Sequence, residues 1–348
     1  MELTPTTTSR GSRLKQSFLA VYCVVAAILL ASTVVMPYRL SAIEGDAPSP
    51  AVVSPAPDET SKTPTNSHSK TSSSSKSTSN TSSSASSTFT NDNPSFASTP
   101  SWGINFADQP NGALKSGLLH YDTGNVGYGS DQLEDYTDST ANARVENGVL
   151  LIQALEQSEN GSPYTSARLT TEGIKSFAYG KLDVVAEEPS GNGTWPSIWL
   201  ISANQPYAAS PTVDGQSSYF NSGEIDIAES IGAQSDKIYS VLQAARSNYF
   251  MPNEHYNAVS VPNDTTAFHD YGIEWTPTTI SFTIDGNVTY TLNKDASWDY
   301  TTWPYTAQNP FNLVINLAMG GWGGAVDNAA LPATMQVKSI TYWPYVGN

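Results

Sequence analysis

In the stretch Gly223-Glu224-Ile225-Asp226-Ile227-Ala228-Glu229-Ser230, three carboxylates fall close together and alternate with aliphatic side chains. A solvated charge run would not alternate in this way. On a β-strand, successive side chains face opposite sides, so Ile225 and Ile227 point away from Glu224 and Asp226. The pattern predicts a strand with its aliphatic face on a core and its acidic face lining a site that needs charge. Glu229 breaks the count, because an odd spacing from Asp226 would turn it into the core. One extra residue, a β-bulge near Ile227 or Ala228, returns it to the acidic side.

With that bulge the three carboxyls share one cleft, which has a specific chemical use. Glycoside cleavage with retention needs two carboxyls roughly 5–5.5 Å apart, one as nucleophile and one as proton donor. A third acid between them keeps their ionisation states apart, since close carboxylates cannot all be charged near neutrality. The competing readings of the same residues are a surface strand with incidental acids, or part of a metal site.

Working outward, the chain from residue 101 carries 9 Lys+Arg against 26 Asp+Glu, a net charge of −17. Nucleic acid would be repelled by such a surface, so it is not an expected partner. An uncharged polysaccharide suits it better than an anionic one. Solubility outside the cell is an alternative explanation of the charge. From Trp102 onward the chain breaks into short alternating runs separated by Gly, Asn, Asp and Pro. Val149-Leu-Leu-Ile152, Lys181-Leu-Asp-Val-Val185 and Ile280-Ser-Phe-Thr-Ile284 read as strands. Asp285-Gly286-Asn287 reads as a hairpin turn leading into Val288–Leu292. Leu313-Val-Ile-Asn-Leu-Ala318 is apolar enough for a central strand covered on both sides. Many short strands and little helix predict an all-β sandwich. Trp195 and Trp199, four residues apart, share a face of their strand, where an indole can stack on the apolar face of a sugar ring. Core packing is the competing role for each.

The N-terminal third is a different polymer. Arg10, Arg13 and Lys15 precede an uncharged apolar run over residues 18–36. This predicts a cytoplasmic tail at 1–17 and, at 18–37, a membrane-spanning signal-anchor or a signal peptide, with the remainder outside the cytoplasm. Residues 38–100 are dominated by Ser, Thr and Pro and read as a disordered linker. The sole cysteine, Cys23, lies in the apolar run, so the folded part at 101–348 must be held by its core without disulfides. The four histidines, His68, His120, His255 and His269, show no metal-ligand spacing. No cofactor and no metal site are expected, and the chain is expected to act as a monomer.

Several segments together resemble glycoside hydrolase family 16, in the bulged form typical of laminarinase-like endo-β-1,3-glucanases. They are Tyr136-Thr-Asp, Ala143-Arg-Val-Glu-Asn-Gly148, Tyr164-Thr-Ser-Ala-Arg168, Tyr179-Gly-Lys-Leu, Gly193-Thr-Trp-Pro-Ser-Ile-Trp199, the acidic motif, His269-Asp-Tyr-Gly-Ile-Glu-Trp-Thr-Pro277 and Pro310-Phe-Asn-Leu-Val-Ile-Asn-Leu-Ala318. The resemblance implies a β-jelly roll of two curved antiparallel sheets with a concave substrate groove. It implies Glu224 as nucleophile, Glu229 as acid/base and Asp226 as their electrostatic support. It also implies sugar contacts from Trp195, Trp199, Asn142 and Arg168. Two departures stand out. Tyr239 and Gln243 occupy positions where relatives usually have histidines, and Gln243, kept as a candidate substrate-binding residue, cannot titrate near neutrality. Lys338 stands near the place of an Asp that binds calcium in many relatives, and its ammonium would repel the cation. The expected activity is retaining endo-hydrolysis of β-1,3-glucan. A glucan-remodelling transglycosylase, a hydrolase of another β-glucan or galactan, and a non-catalytic glucan-binding module are the alternatives. Wall transglycosylases of this family usually carry paired cysteines, which this chain lacks.

Overall fold

A computed structural model describes residues 95–125, 130–207, 218–245, 256–260, 265–297, 299 and 301–347. The expected tail, anchor and nearly all of the linker lie outside the described residues. Among those described, no helix is long and apolar enough to cross a membrane. The strands run in chain order as β1 (Trp102–Asn105), β2 (His120–Asp122), β3 (Glu134–Tyr136), β4 (Ala143–Glu146), β5 (Val149–Ala154) and β6 (Tyr164–Ser166). Then come β7 (Arg168–Thr170), β8 (Gly180–Glu187), β9 (Thr194–Ser202), β10 (Glu224–Glu229), β11 (Lys237–Gln243) and β12 (Tyr256–Ser260). The last are β13 (His269–Trp275), β14 (Thr279–Ile284), β15 (Asn287–Asn293), β16 (Phe311–Met319) and β17 (Ala333–Pro344).

Two antiparallel sheets enclose the core. One has the order β12-β11-β10-β9-β16-β7-β2, and the other β15-β14-β13-β8-β17-β5-β4, with β1 added on β17. This is the expected all-β jelly-roll class. The acidic strand β10 sits inside the first sheet between β9 and β11, which fixes it from both edges. A small parallel pair, β3 with β6, was not legible from the strand pattern.

Local chemistry explains the elements. Along β5 the burial alternates residue by residue, as a half-covered strand should. β16 is buried at every position. Its Phe311, Leu313, Ile315, Leu317 and Met319 enter the core, while Asn312, Val314, Asn316 and Ala318 face the other way. The predicted hairpin forms with Asp285 at φ 52° and Gly286 at φ 73°, the two left-handed residues that match strand twist. Trp275, Trp303, Tyr271 and Phe106 are among the fully buried side chains. Each large apolar side chain withdrawn from water contributes about 1.5–3 kcal/mol, which is how a domain without disulfides holds together. The packed chain begins earlier than the expected boundary at 101: Phe96 bridges Tyr345, and the Val346 amide donates to the Ser95 carbonyl at 2.9 Å.

Candidate active site

The bulge lies where the alternation required it. Asp226 pairs with Trp199 of β9, but the next partners are Ala228 with Ile198 and Glu229 with Ser197, so Ile227 is the extra residue. Against β11 the register shifts over the same interval, from Asp226 opposite Val241 to Glu229 opposite Tyr239. Ile225, Ile227 and Ala228 all join the core. Glu229 is thereby returned to the face of Glu224 and Asp226. The entry to β10 is set by Gly223 at φ 85°, where a Cβ would meet Pro304 Cγ at 2.6 Å. Tyr305 then ties the strand ends together, its hydroxyl donating to the carbonyls of Gln243 at 2.8 Å and Glu224 at 3.3 Å.

Each carboxyl has its own partners. Gln243, directly opposite Glu224 on β11, donates from Nε2 to Glu224 Oε1 at 2.6 Å and to Asp226 Oδ2 at 2.9 Å. Glu229 Oε1 accepts from Trp195 Nε1 at 3.0 Å and from Ser197 Oγ at 3.1 Å. Burial, then the charges of Glu224 and Glu229, push Asp226 well above the usual carboxylate range, and the Gln243 amide pulls it back in part. Burial pushes Glu229 up to about 7 against the opposing pull of Trp195 and Ser197. Near neutrality Glu229 is therefore poised between its two forms, while Asp226 is held towards its neutral form.

The expected sugar contacts divide. Trp195 is half-buried, bonded to Glu229 and edge-on to Trp322 at 5.7 Å. Trp199 sits on the same face but is only 9% exposed. Its Nε1 donates to Asn316 at 2.8 Å and the Arg168 guanidinium lies 4.7 Å above its ring. Trp199, expected to contact sugar with core packing as its competing role, thus lies nearly buried with the Arg168 guanidinium over its ring. Arg168 also pairs with Asp122 at 3.0 Å, and both line a depression of about 240 Å³ together with Thr170, Glu172, Asn204 and Asn312. Asn142 lies inside the scaffold. It is 1% exposed. Its amide accepts from Thr137 at 2.6 Å and donates to the Gln153 carbonyl at 2.9 Å and Thr165 at 3.1 Å, so it ties the scaffold together. Gln243, expected to meet substrate, is the shared donor to two of the acids.

Three contributors went unassigned in the sequence reading. Ser197 was signalled, since it lies between Trp195 and Trp199 on one strand face. Asn316 was signalled as the polar break in an apolar strand. Trp322 carried no periodic signal, because the glycine-rich turn at Gly321–Gly323 places it edge-on to Trp195 and, at 5.0 Å, to Tyr239. On the opposite sheet, the Lys338 ammonium lies 3.6 Å from the Phe268 ring centre. Among the described residues no group of three His, Cys, Asp or Glu side chains converges as a metal site.

Residues 130–339 match the model of the glycosyl hydrolases family 16. A beta-glucanase of Rhodothermus marinus is 35% identical over 257 residues, covering 71% of this chain and 87% of the relative. A glucan endo-1,3-beta-glucosidase of Cryptopygus antarcticus is 29% identical over 262 residues, covering 70% of this chain and 93% of the relative. Among solved structures, the laminarinase from Rhodothermus marinus superposes with a TM-score of 0.66 at 35% identity, covering 73% of this chain and 99% of that one.

Proposed function

Because the chain belongs to glycosyl hydrolase family 16, we propose that this glycoside hydrolase is a retaining endo-β-1,3-glucanase acting on laminarin-type chains. The observation that carries the reading is the bulged β10 strand, which puts three carboxyls on one face. In the proposed cycle Glu224 attacks the anomeric carbon as Glu229 gives its proton to the departing oxygen. A covalent glycosyl-enzyme forms and the aglycone half leaves. Glu229, now ionised, takes a proton from water as that water attacks the same carbon, releasing Glu224 and restoring both groups. Asp226, held towards its neutral form by burial and by the two neighbouring charges, limits the build-up of charge between them. The Gln243 amide supports the charge on Glu224 and orients its carboxylate. Unlike an imidazole it keeps this role at every pH.

The substrate assignment draws support from the relatives' activities and from the acidic surface, which suits an uncharged polymer. The apolar run at 18–36 behind three basic residues supports an extracytoplasmic catalytic unit, anchored or released, with residues 38–100 as its tether. The direct test is to incubate the full-length protein with laminarin, mixed-linkage glucan and a galactan, with and without acceptor oligosaccharides. Short β-1,3-linked oligosaccharides from laminarin are expected. Release from the galactan alone would overturn the substrate class. Chains longer than the donor, appearing as acceptor is added, would establish transglycosylation in place of hydrolysis.

A further inference from the structure

Glu188 is a fully buried carboxyl that the proposed cycle does not use. It follows β8 directly, is 0% exposed, and neither carboxyl oxygen meets a partner in hydrogen-bond geometry. Its surroundings are closed. The Glu188 amide donates to the Thr265 carbonyl at 2.9 Å, and the loop it opens is tied to the turn after β10 by Gly191 N–H to Gly232 O at 2.9 Å. Ser230 and Thr265 are likewise fully buried. Ser230 is the polar group beside the Glu188 carboxyl and immediately follows Glu229 in the chain. Glu187, next to it, turns away to Gln336. Among the described groups, the charge whose field reaches Glu188 is that of Glu229.

We propose that Glu188 is a positioning residue for Glu229: as a neutral acid wedged behind Ser230 it holds the end of β10, and it releases that hold when it ionises. The proposal rests on the reading of Glu229 as the acid/base. An unpaired carboxylate cannot remain buried where none of the described groups supplies a cation. Ionisation therefore opens the contact between the Glu188 loop and the Ser230 turn, and Glu229 is withdrawn from the cleft. Burial pushes Glu188 up to about 8, with the Ser230 hydroxyl pulling it down and Glu229 pushing it further up. The proton on Glu188 is thus kept throughout the neutral range, where Glu229 works.

The test is the alkaline limb of log kcat/KM, measured on the full-length protein well below its melting temperature. Loss of the Glu229 proton gives a slope of −1 above about pH 7, and loss of the Glu188 proton steepens it to −2 above about pH 8. Glu188→Gln, the isostere of the neutral acid, is expected to hold the slope at −1. Ser230→Ala removes the hydroxyl that favours the ionised form and is expected to move the second break to higher pH. A slope of −2 retained in Glu188→Gln, or limbs that superimpose in all three proteins, would overturn the proposal. Stability offers a separate reading. The folded protein holds a proton here that the unfolded chain has released above about 4.5, so stability falls as pH rises from there towards 8. Glu188→Gln should therefore melt higher than wild type at pH 8 and show little gain near pH 4.5. A merely structural Glu188 would move the melting temperature and leave the slope alone. An active Glu229→Gln variant would refute the acid/base reading instead, which keeps the two failures distinct.

Discussion

Glu224→Gln is expected to abolish hydrolysis, with a loss of roughly 10⁴-fold or more, because no covalent intermediate can form without the nucleophile. Glu229→Gln should lose roughly 10²–10⁴-fold, the usual worth of a positioned proton donor. Both glutamines keep the shape of the side chain in a cleft already furnished with hydrogen-bond donors, so both variants should fold. The two losses should also differ in kind. A substrate with an acidic aryl leaving group needs no protonation, so Glu229→Ala should still form the glycosyl-enzyme from it and then stall. Azide, a nucleophile that needs no general base, should relieve that stall and return a β-glycosyl azide. In Glu224→Ala the same anion enters the vacated space, attacks the substrate itself, and returns the α-glycosyl azide. Near-wild-type turnover in either glutamine variant, or a single azide anomer from both alanine variants, would contradict the assignment of roles.

Ile225→Asp is expected to have the second large effect, and it acts through the fold. Ile225 lies between Glu224 and Asp226 on the opposite face of β10 and is fully buried in the core. A carboxylate placed among these apolar side chains has no partner. Destabilisation of about 4–5 kcal/mol or more follows, the range reserved for buried unpaired charge. That is a large part of the ~5–15 kcal/mol a domain of this kind commands. Urea unfolding should show a sharply lowered midpoint or no folded protein at all, together with loss of activity. Ile225→Val, which keeps the face apolar, should cost only about 0.5–1.5 kcal/mol. An Ile225→Asp variant that is folded and active would mean that the aliphatic face of β10 does not carry the core.

The same residues show what could be read from sequence and what could not. Glu224, Asp226, the need for a bulge and the double cover of β16 all follow from the period of two, a property of one strand at a time. Partners across strands depend on register. Gln243 meets Glu224 and Asp226 because β11 pairs with β10 at that offset, and no local pattern encodes the offset. Asn142 shows the same limit: a polar side chain before a strand looks available for substrate until packing brings Thr137, Gln153 and Thr165 around it. Trp322 is placed by a glycine turn, and Glu188 by the closure of two loops. In both, tertiary packing decides what the linear pattern leaves open.

The central claim is that Glu224 and Glu229 act as nucleophile and acid/base in two displacements at one carbon. Proton NMR of the first reducing ends released from a β-1,3-gluco-oligosaccharide, recorded before mutarotation, tests it most directly. Two inversions restore the starting configuration, so the β-anomer should appear first and the α-anomer should grow in only as the sugar equilibrates. An α-anomer appearing first would mean a single displacement by water and would contradict the account.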